Sequence, residues 1–339
     1  MAKGARRIAV LGAGAWGTAL ANLAARGGEA AGREAPEVAL YARDPAHVAE
    51  MAATGVNARR LPGVPLASNV RPTADLAATA AAEVVLAVVP TQALRGVLAE
   101  LAPQLAGNPP IIVCAKGIER RTGRFVTEIV GEILPDATAA ILSGPSFAQD
   151  VARGLPTAVT LAARDPVAAA TLAAMMAGPT FRVYSSSDVR GVEIGGAAKN
   201  ALAIASGIAA GRELGASAGA ALIARGFAEL VRFGRAYEAE AATLSGLSGL
   251  GDLVLTCTTA LSRNYSFGLA LGRGASVAEA SERIGLVEGA FTCGVMLELA
   301  RAAEVDMPIA AAVDAVLGGR VSIEDAIAEL MARPSKPES

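Results

Sequence analysis

The residues of this sequence best suited to chemistry are the glycines of Gly12-Ala13-Gly14-Ala15-Trp16-Gly17 and two interior lysines, Lys116 and Lys199. The glycines have the G-x-G-x-x-G spacing of a dinucleotide-binding turn. The first allows the tight turn, the second lets backbone approach a pyrophosphate, and the third lets a helix pack close to a strand. A helix opening at such a turn presents free N–H groups and its positive end to phosphate. The lysines stand out by contrast with the other cations: of 30 basic residues only four are lysine, and Lys3 and Lys336 lie in the tails. An ammonium can release a proton and a guanidinium in practice cannot. A chain that uses Arg for plain charge therefore leaves Lys116 and Lys199 as candidates for something more than charge.

Other acid–base solutions are scarce. The single histidine, His47, follows the second strand, away from where a nicotinamide would lie, so a His–Asp pair is not expected. None of Tyr41, Tyr184, Tyr237 or Tyr265 is followed four residues on by lysine, which removes a Tyr-x-x-x-Lys pair. Lys116 follows an apolar run, Ile111 to Cys114, and ligands of open α/β sheets bind beyond the carboxyl ends of strands. Lys199 lies in Gly195-Gly196-Ala197-Ala198-Lys199-Asn200, where small residues permit close approach and burial of the ammonium. On the ribose side, Tyr41-Ala42-Arg43-Asp44-Pro45 places Arg43 nearest the strand end, which favours NADPH while leaving NADH open. Asp44 before Pro45 reads as a helix N-cap.

The elements that must position these residues alternate. Arg7 to Leu11 reads as a strand, Ala15 to Arg26 as a helix, Val38 to Tyr41 as a second strand, and Gly27 to Pro36 as an enlarged loop. Val84 to Val89, Ile111 to Cys114 and Ala139 to Leu142 are unalternating apolar runs, the pattern of parallel strands buried on both faces. Thr157 to Leu161 and Phe181 to Tyr184 read as later strands. Beyond Asp188 the strand signal ends, and Gly- and Ala-rich helices continue to about Met331. The expected domains are 1–188 and 189–332, with a disordered tail over 333–339.

Composition narrows the class. Of the residues 53% are hydrophobic, largely through Ala, yet no apolar run reaches the roughly 18 residues of a membrane-spanning helix. A secretory signal over residues 1–27 is disfavoured by Gly12, Gly14 and Gly17. Cys114, Cys257 and Cys293 lack metal-ligand or C-x-x-C spacing, so no metal is expected, and they read as free thiols of a reducing cytoplasm. A net charge of -2 offers no field for nucleic acid or an anionic membrane. Neither nucleic acid nor a stable membrane anchor is expected as a partner.

At the motifs that carry these residues the chain resembles the bacterial-type NAD(P)-dependent glycerol-3-phosphate dehydrogenases. Besides the glycine turn, the resemblance rests on Cys114-Ala115-Lys116-Gly117, Ser143-Gly144-Pro145-Ser146-Phe147-Ala148, Gly154-Leu155-Pro156-Thr157, Gly196 to Asn200, Gly249-Leu250-Gly251-Asp252, Ser262-Arg263-Asn264 and Val287-Glu288-Gly289. It covers nearly the whole chain. It implies an α/β amino-terminal Rossmann-like domain and an all-α carboxy-terminal domain like that of 6-phosphogluconate dehydrogenase. It also implies reversible hydride transfer between NAD(P)H and dihydroxyacetone phosphate, making sn-glycerol 3-phosphate for phospholipid synthesis in a homodimer. By the same resemblance Lys199 is the acid–base residue, Lys116 contacts substrate near the nicotinamide, and Asp252 orients Lys199 and binds a substrate hydroxyl. Ser262, Arg263 and Asn264 hold the substrate phosphate, with Gly144 and Ser146 completing the substrate contacts. Ala15, Trp16, Arg43, Lys116, Ala148, Arg263, Leu286 and Glu288 match positions that touch cofactor. Departures are Ala198 and Ala201, where larger aliphatics are usual, and the longer loop Gly27 to Pro36. The sequence alone leaves two rival readings: a reductase of similar plan acting on a hydroxy acid or opine, and a dinucleotide-sensing regulator. Ser262-Arg263-Asn264 speaks against the first, and the lack of a basic helix-turn-helix segment against the second.

Overall fold

The computed structural model describes residues 6–27, 34–285 and 287–334. They form two compact units. One comprises the chain up to Glu119 with Arg124–Glu193, and the other comprises Arg120–Gly123 with the chain from Ile194 onward.

The first unit contains β1 (Arg7–Leu11), α1 (Ala15–Arg26), β2 (Glu37–Tyr41), α2 (Pro45–Thr54), β3 (Val70–Thr73), β4 (Val84–Ala87), α3 (Thr91–Leu101), β5 (Ile111–Val113), α4 (Val126–Ile133), β6 (Ala139–Ser143), α5 (Ala148–Ala152), β7 (Thr157–Ala163), α6 (Pro166–Met176) and β8 (Phe181–Ser186). Its one sheet has the order β3-β2-β1-β4-β5-β6-β7-β8. The first six strands are parallel, in the doubly wound order whose direction reverses between β1 and β4. In β1, Ile8 and Val10 enter the core on one face while Ala9 and Leu11 enter the core on the other, which is why the run shows no polar alternation.

Two features depart from the sequence reading. Val-Arg-Pro-Thr is too short and interrupted to announce β3, which lies at the sheet edge, where proline is tolerated. β7 runs antiparallel to β6, with β8 parallel to β7. β7 is buried over residues 159–163 on both faces as the parallel strands are, so its residues do not reveal its direction.

The second unit is helical: the greater part of α7 (Val189–Gly211), then α8 (Ala216–Ala236), α9 (Ala241–Leu244), α10 (Asp252–Cys257), α11 (Arg263–Gly272), α12 (Val277–Ile284), α13 (Glu288–Ala302), α14 (Pro308–Leu317) and α15 (Ile323–Met331). A π-helical turn, Leu247–Gly251, leads into α10. None of the described helices is long and apolar enough to cross a membrane.

Backbone-to-backbone packing fixes α7 against α11. A Cβ at Gly207 would land on the carbonyl oxygen of Tyr265, and one at Gly268 on that of Ile204. One at Gly211 would come within 2.6 Å of the Leu269 carbonyl oxygen, and Gly272 lies equally tight against Ile208. Elsewhere, buried Glu229 on α8 accepts hydrogen bonds from Ile309 N (2.7 Å) and Ala310 N (3.2 Å), capping the start of α14. Burial pushes this carboxyl up to about 7.

Candidate active site

The glycine turn lies between β1 and α1, beside the point where strand order reverses. Gly12 has φ +116°, and its N–H donates to the Tyr41 carbonyl at 3.0 Å, so the turn requires a residue without a Cβ. A Cβ on Gly17 would fall on the carbonyl oxygen of Gly12, and this close approach is what brings α1 onto the strand end. Around Gly14, by contrast, the space is open to at least 4 Å. No side chain caps α1, and its first turn holds no acidic residue. An uncapped helix end beside an open glycine fits a pyrophosphate, whose oxygens would take the unpaired N–H groups. Ala15 and Trp16 stand in that first turn, partly buried against the sheet core.

The segment expected to face the ribose follows β2. Asp44 is the N-cap of α2, accepting from Ala46 N at 3.0 Å, with Pro45 next. It also pairs with Arg59 at 3.1 Å, and Arg59 reaches Glu50 at 2.6 Å. Asp44 is thus committed to its helix and to Arg59. Arg43 is exposed immediately after β2.

At the carboxyl ends of β5 and β6, Lys116 and Ser146 converge. Lys116 Nζ donates to the Gly144 carbonyl at 3.0 Å, and Ser146 Oγ donates to the same oxygen at 3.1 Å. Gly144 has φ +147°, and a Cβ there would approach Val159 Cα to 2.9 Å. Ala148 follows as the first residue of α5. Burial pushes the neighbouring Cys114 thiol up to about 12, so it stays protonated and does not compete as a nucleophile.

In the second unit, Lys199 on α7 is only 5% exposed and Asp252, at the start of α10, 1%. Lys199 Nζ forms an ion pair with Asp252 Oδ1 and donates to Thr256 Oγ1 at 3.0 Å. Thr256 in turn donates to Asp252 Oδ1 at 3.3 Å. Asp252 and Thr256 are one helical turn apart and so share a face of α10. Sequence reading singled out Lys199 and Asp252 but missed Thr256, whose i,i+4 spacing from Asp252 was the available signal. Cys257, beside this group, is pushed up to about 11 by burial and remains a thiol.

The start of α11 shows a division of labour the sequence does not display. Ser262 is buried and serves as the N-cap, accepting from Tyr265 N at 3.3 Å. Asn264 is tied at both ends of its amide: Nδ2 donates to Asn200 Oδ1 at 3.0 Å, and Oδ1 accepts from Gly289 N at 3.1 Å. This joins α7, α11 and α13 and brings in Asn200, a residue the sequence reading quoted without a role. Arg263, by contrast, is exposed, with its guanidinium available to an anion. Glu288 opens α13, partly buried. Leu286 lies outside the described residues.

Comparison with known proteins extends along nearly the whole chain. Residues 7–169 match the family model described as NAD-dependent glycerol-3-phosphate dehydrogenase N-terminus, and residues 188–328 match the corresponding C-terminus model. A glycerol-3-phosphate dehydrogenase of the NAD(P)+ type from Beijerinckia indica is 66% identical over 333 residues, 98% of each chain. One from Azorhizobium caulinodans is 60% identical over the same share. The crystal structure of glycerol-3-phosphate dehydrogenase from Coxiella burnetii superposes with a TM-score of 0.91 at 40% identity, covering 97% of this chain and 99% of the other. With both halves matched, in order, to one family, the chain belongs to the NAD-dependent glycerol-3-phosphate dehydrogenases.

Proposed function

We propose that this enzyme carries out the reversible NAD(P)H-dependent reduction of dihydroxyacetone phosphate to sn-glycerol 3-phosphate, with Lys199 as the general acid/base. The observation that carries the mechanism is the buried group Lys199–Asp252–Thr256, a proton carrier held in place by a carboxylate and a hydroxyl. When bound, the nicotinamide supplies hydride to the carbonyl carbon or takes it back. Negative charge then grows on the carbonyl oxygen, and Lys199 as ammonium delivers a proton to it from Nζ. In the reverse direction Lys199 as amine receives the hydroxyl proton. Asp252 compensates the ammonium, and Thr256 fixes its direction. Lys116 polarises the substrate oxygens, aided by Ser146 and the Gly144 loop.

The substrate phosphate is held chiefly by Arg263, with Ser262 and Asn264 shaping the start of α11 around it. Gly12, Gly14, Ala15, Trp16 and Gly17 hold the cofactor pyrophosphate; Arg43 takes the 2'-phosphate and so sets a preference for NADPH, NADH remaining usable. Ala148, Leu286 and Glu288 complete the cofactor contacts. A dinucleotide-binding domain over 1–188, a substrate domain over 189–332, homodimeric assembly, a cytoplasmic setting and supply of glycerophospholipid synthesis follow from the family resemblance. Initial rates with each nicotinamide cofactor test the reading. NADPH is oxidised only when dihydroxyacetone phosphate is present, NADH more slowly, and Arg43→Ser narrows the gap between them. Absence of oxidation on adding dihydroxyacetone phosphate overturns it.

A further inference from the structure

We infer that Asn57, oriented by His47, is a positioning residue that aims the backbone donors of the glycine turn. Asn57 follows α2, is 0% exposed, and lies 44 residues from the turn in sequence. Its Nδ2 donates to the Ala13 carbonyl at 3.0 Å and to Thr18 Oγ1 at 2.7 Å. Both amide hydrogens are therefore used, and its Oδ1 can only accept. The partner of Oδ1 is His47 Nε2 at 2.8 Å, so that nitrogen carries the hydrogen. Thr18, accepting from Asn57, donates onward to the Gly14 carbonyl at 2.8 Å. The chain of bonds thus has a single polarity, from His47 through Asn57 and Thr18 to two successive carbonyls of the turn.

Those two carbonyls are the back sides of the peptide units that a pyrophosphate would meet. In a trans peptide the C=O and N–H of one unit point in opposite directions. Pinning the Ala13 carbonyl inward turns the Gly14 N–H outward, and pinning the Gly14 carbonyl does the same for the Ala15 N–H. No cis peptide interrupts the described chain. The Gly14 carbonyl also accepts the Thr18 backbone N–H at 2.9 Å, the first bond of α1, so the donor that Asn57 itself presets is the Gly14 N–H, and His47, donating to Oδ1, supports the amide orientation that the Ala13 carbonyl demands. Without His47, Oδ1 loses its partner and the amide is held against the Ala13 carbonyl from one side only.

This inference rests on the reading that the glycine turn holds the cofactor pyrophosphate, and the test separates the two. Dissociation constants of the intact protein are measured by calorimetry for NADPH, NADH, ADP-ribose and adenosine 2'-monophosphate, the last lacking a pyrophosphate. His47→Leu and Asn57→Asp are expected to weaken the first three alike, about tenfold, the loss of one hydrogen bond to a charged group. They leave adenosine 2'-monophosphate unchanged. His47→Gln, whose amide can donate in place of Nε2, restores binding. Gly14→Val is the control on the underlying reading: if it leaves ADP-ribose binding intact, the turn does not hold the pyrophosphate. If Gly14→Val abolishes binding while folded His47→Leu and Asn57→Asp bind as wild type, the positioning role is wrong. A loss confined to NADPH, or one shared by adenosine 2'-monophosphate, also overturns it.

Discussion

Replacing Lys199 by Met keeps the length and apolar stem of the side chain and removes only its ammonium. Two separate effects are expected because Lys199 is the proposed proton carrier and is also the partner of a carboxylate that is 1% exposed. A positioned general acid contributes roughly 10² to 10⁴ in rate, so kcat is expected to fall by about that factor while NADPH still binds. Asp252 is left buried beside Thr256 with no compensating cation, and breaking a buried pair in this way costs about 3–5 kcal/mol. That is a large part of the roughly 5–15 kcal/mol that keeps a domain folded. The double variant Lys199→Met/Asp252→Asn removes the stranded charge and regains most of that stability, but it remains inactive because no proton carrier is restored. Urea unfolding followed by circular dichroism measures the first effect, and NADPH oxidation in the presence of dihydroxyacetone phosphate the second. A single variant with kcat within about tenfold of wild type refutes the acid–base assignment. A double variant no more stable than the single refutes the electrostatic account of the pair.

Two further expectations concern the scaffold. Gly17→Ala forces a methyl group onto the Gly12 carbonyl, so α1 must move off the strand end; NADPH binding measured by fluorescence titration should be lost and the melting temperature lowered, and an unchanged affinity would show that the turn tolerates the shift. Glu229 has a folded-state value of about 7, above its usual 4.5. The folded state therefore keeps a proton that the unfolded chain releases. Stability is full below pH 4.5, declines as pH rises toward 7 by at most about 3 kcal/mol, and is level above that. Urea unfolding across this range should show the decline, and Glu229→Gln should flatten it; a decline of equal size in the variant would assign it to another group.

The parts of the molecule that were legible in the sequence are those where a local rule acts alone. Gly12, Gly14 and Gly17 declare a strand–turn–helix by spacing, and Ile8 to Leu11 declare a doubly buried strand by lacking alternation. Asp44-Pro45 announces its own cap. Lys199 was visible because lysine is rare in this chain. What stayed hidden depends on partners distant in sequence. Thr256 looks like any helical threonine until α10 packs beside Lys199, 57 positions away. Asn264 resembles a ligand donor, yet its amide is engaged by Asn200 and Gly289. His47 stands apart from the lysines in sequence, and its link to the turn runs through Asn57, which belongs to no motif. The antiparallel direction of β7 is likewise a property of pairing with β6 and not of its own residues.

The glycine contact between α7 and α11 bears on motion. Where helices meet through side chains, a small slide of one along the other can be absorbed by changes of rotamer. At Gly207, Gly211, Gly268 and Gly272 there are no rotamers, and backbone meets backbone. A slide of one helix along the other would drive Cα atoms into carbonyl oxygens, so the two helices respond to thermal agitation as one body. Lys199 and Asn200 ride on one of them and Arg263 and Asn264 on the other. The proposed proton carrier and the residues proposed to hold the substrate phosphate are thereby kept in register by direct backbone packing.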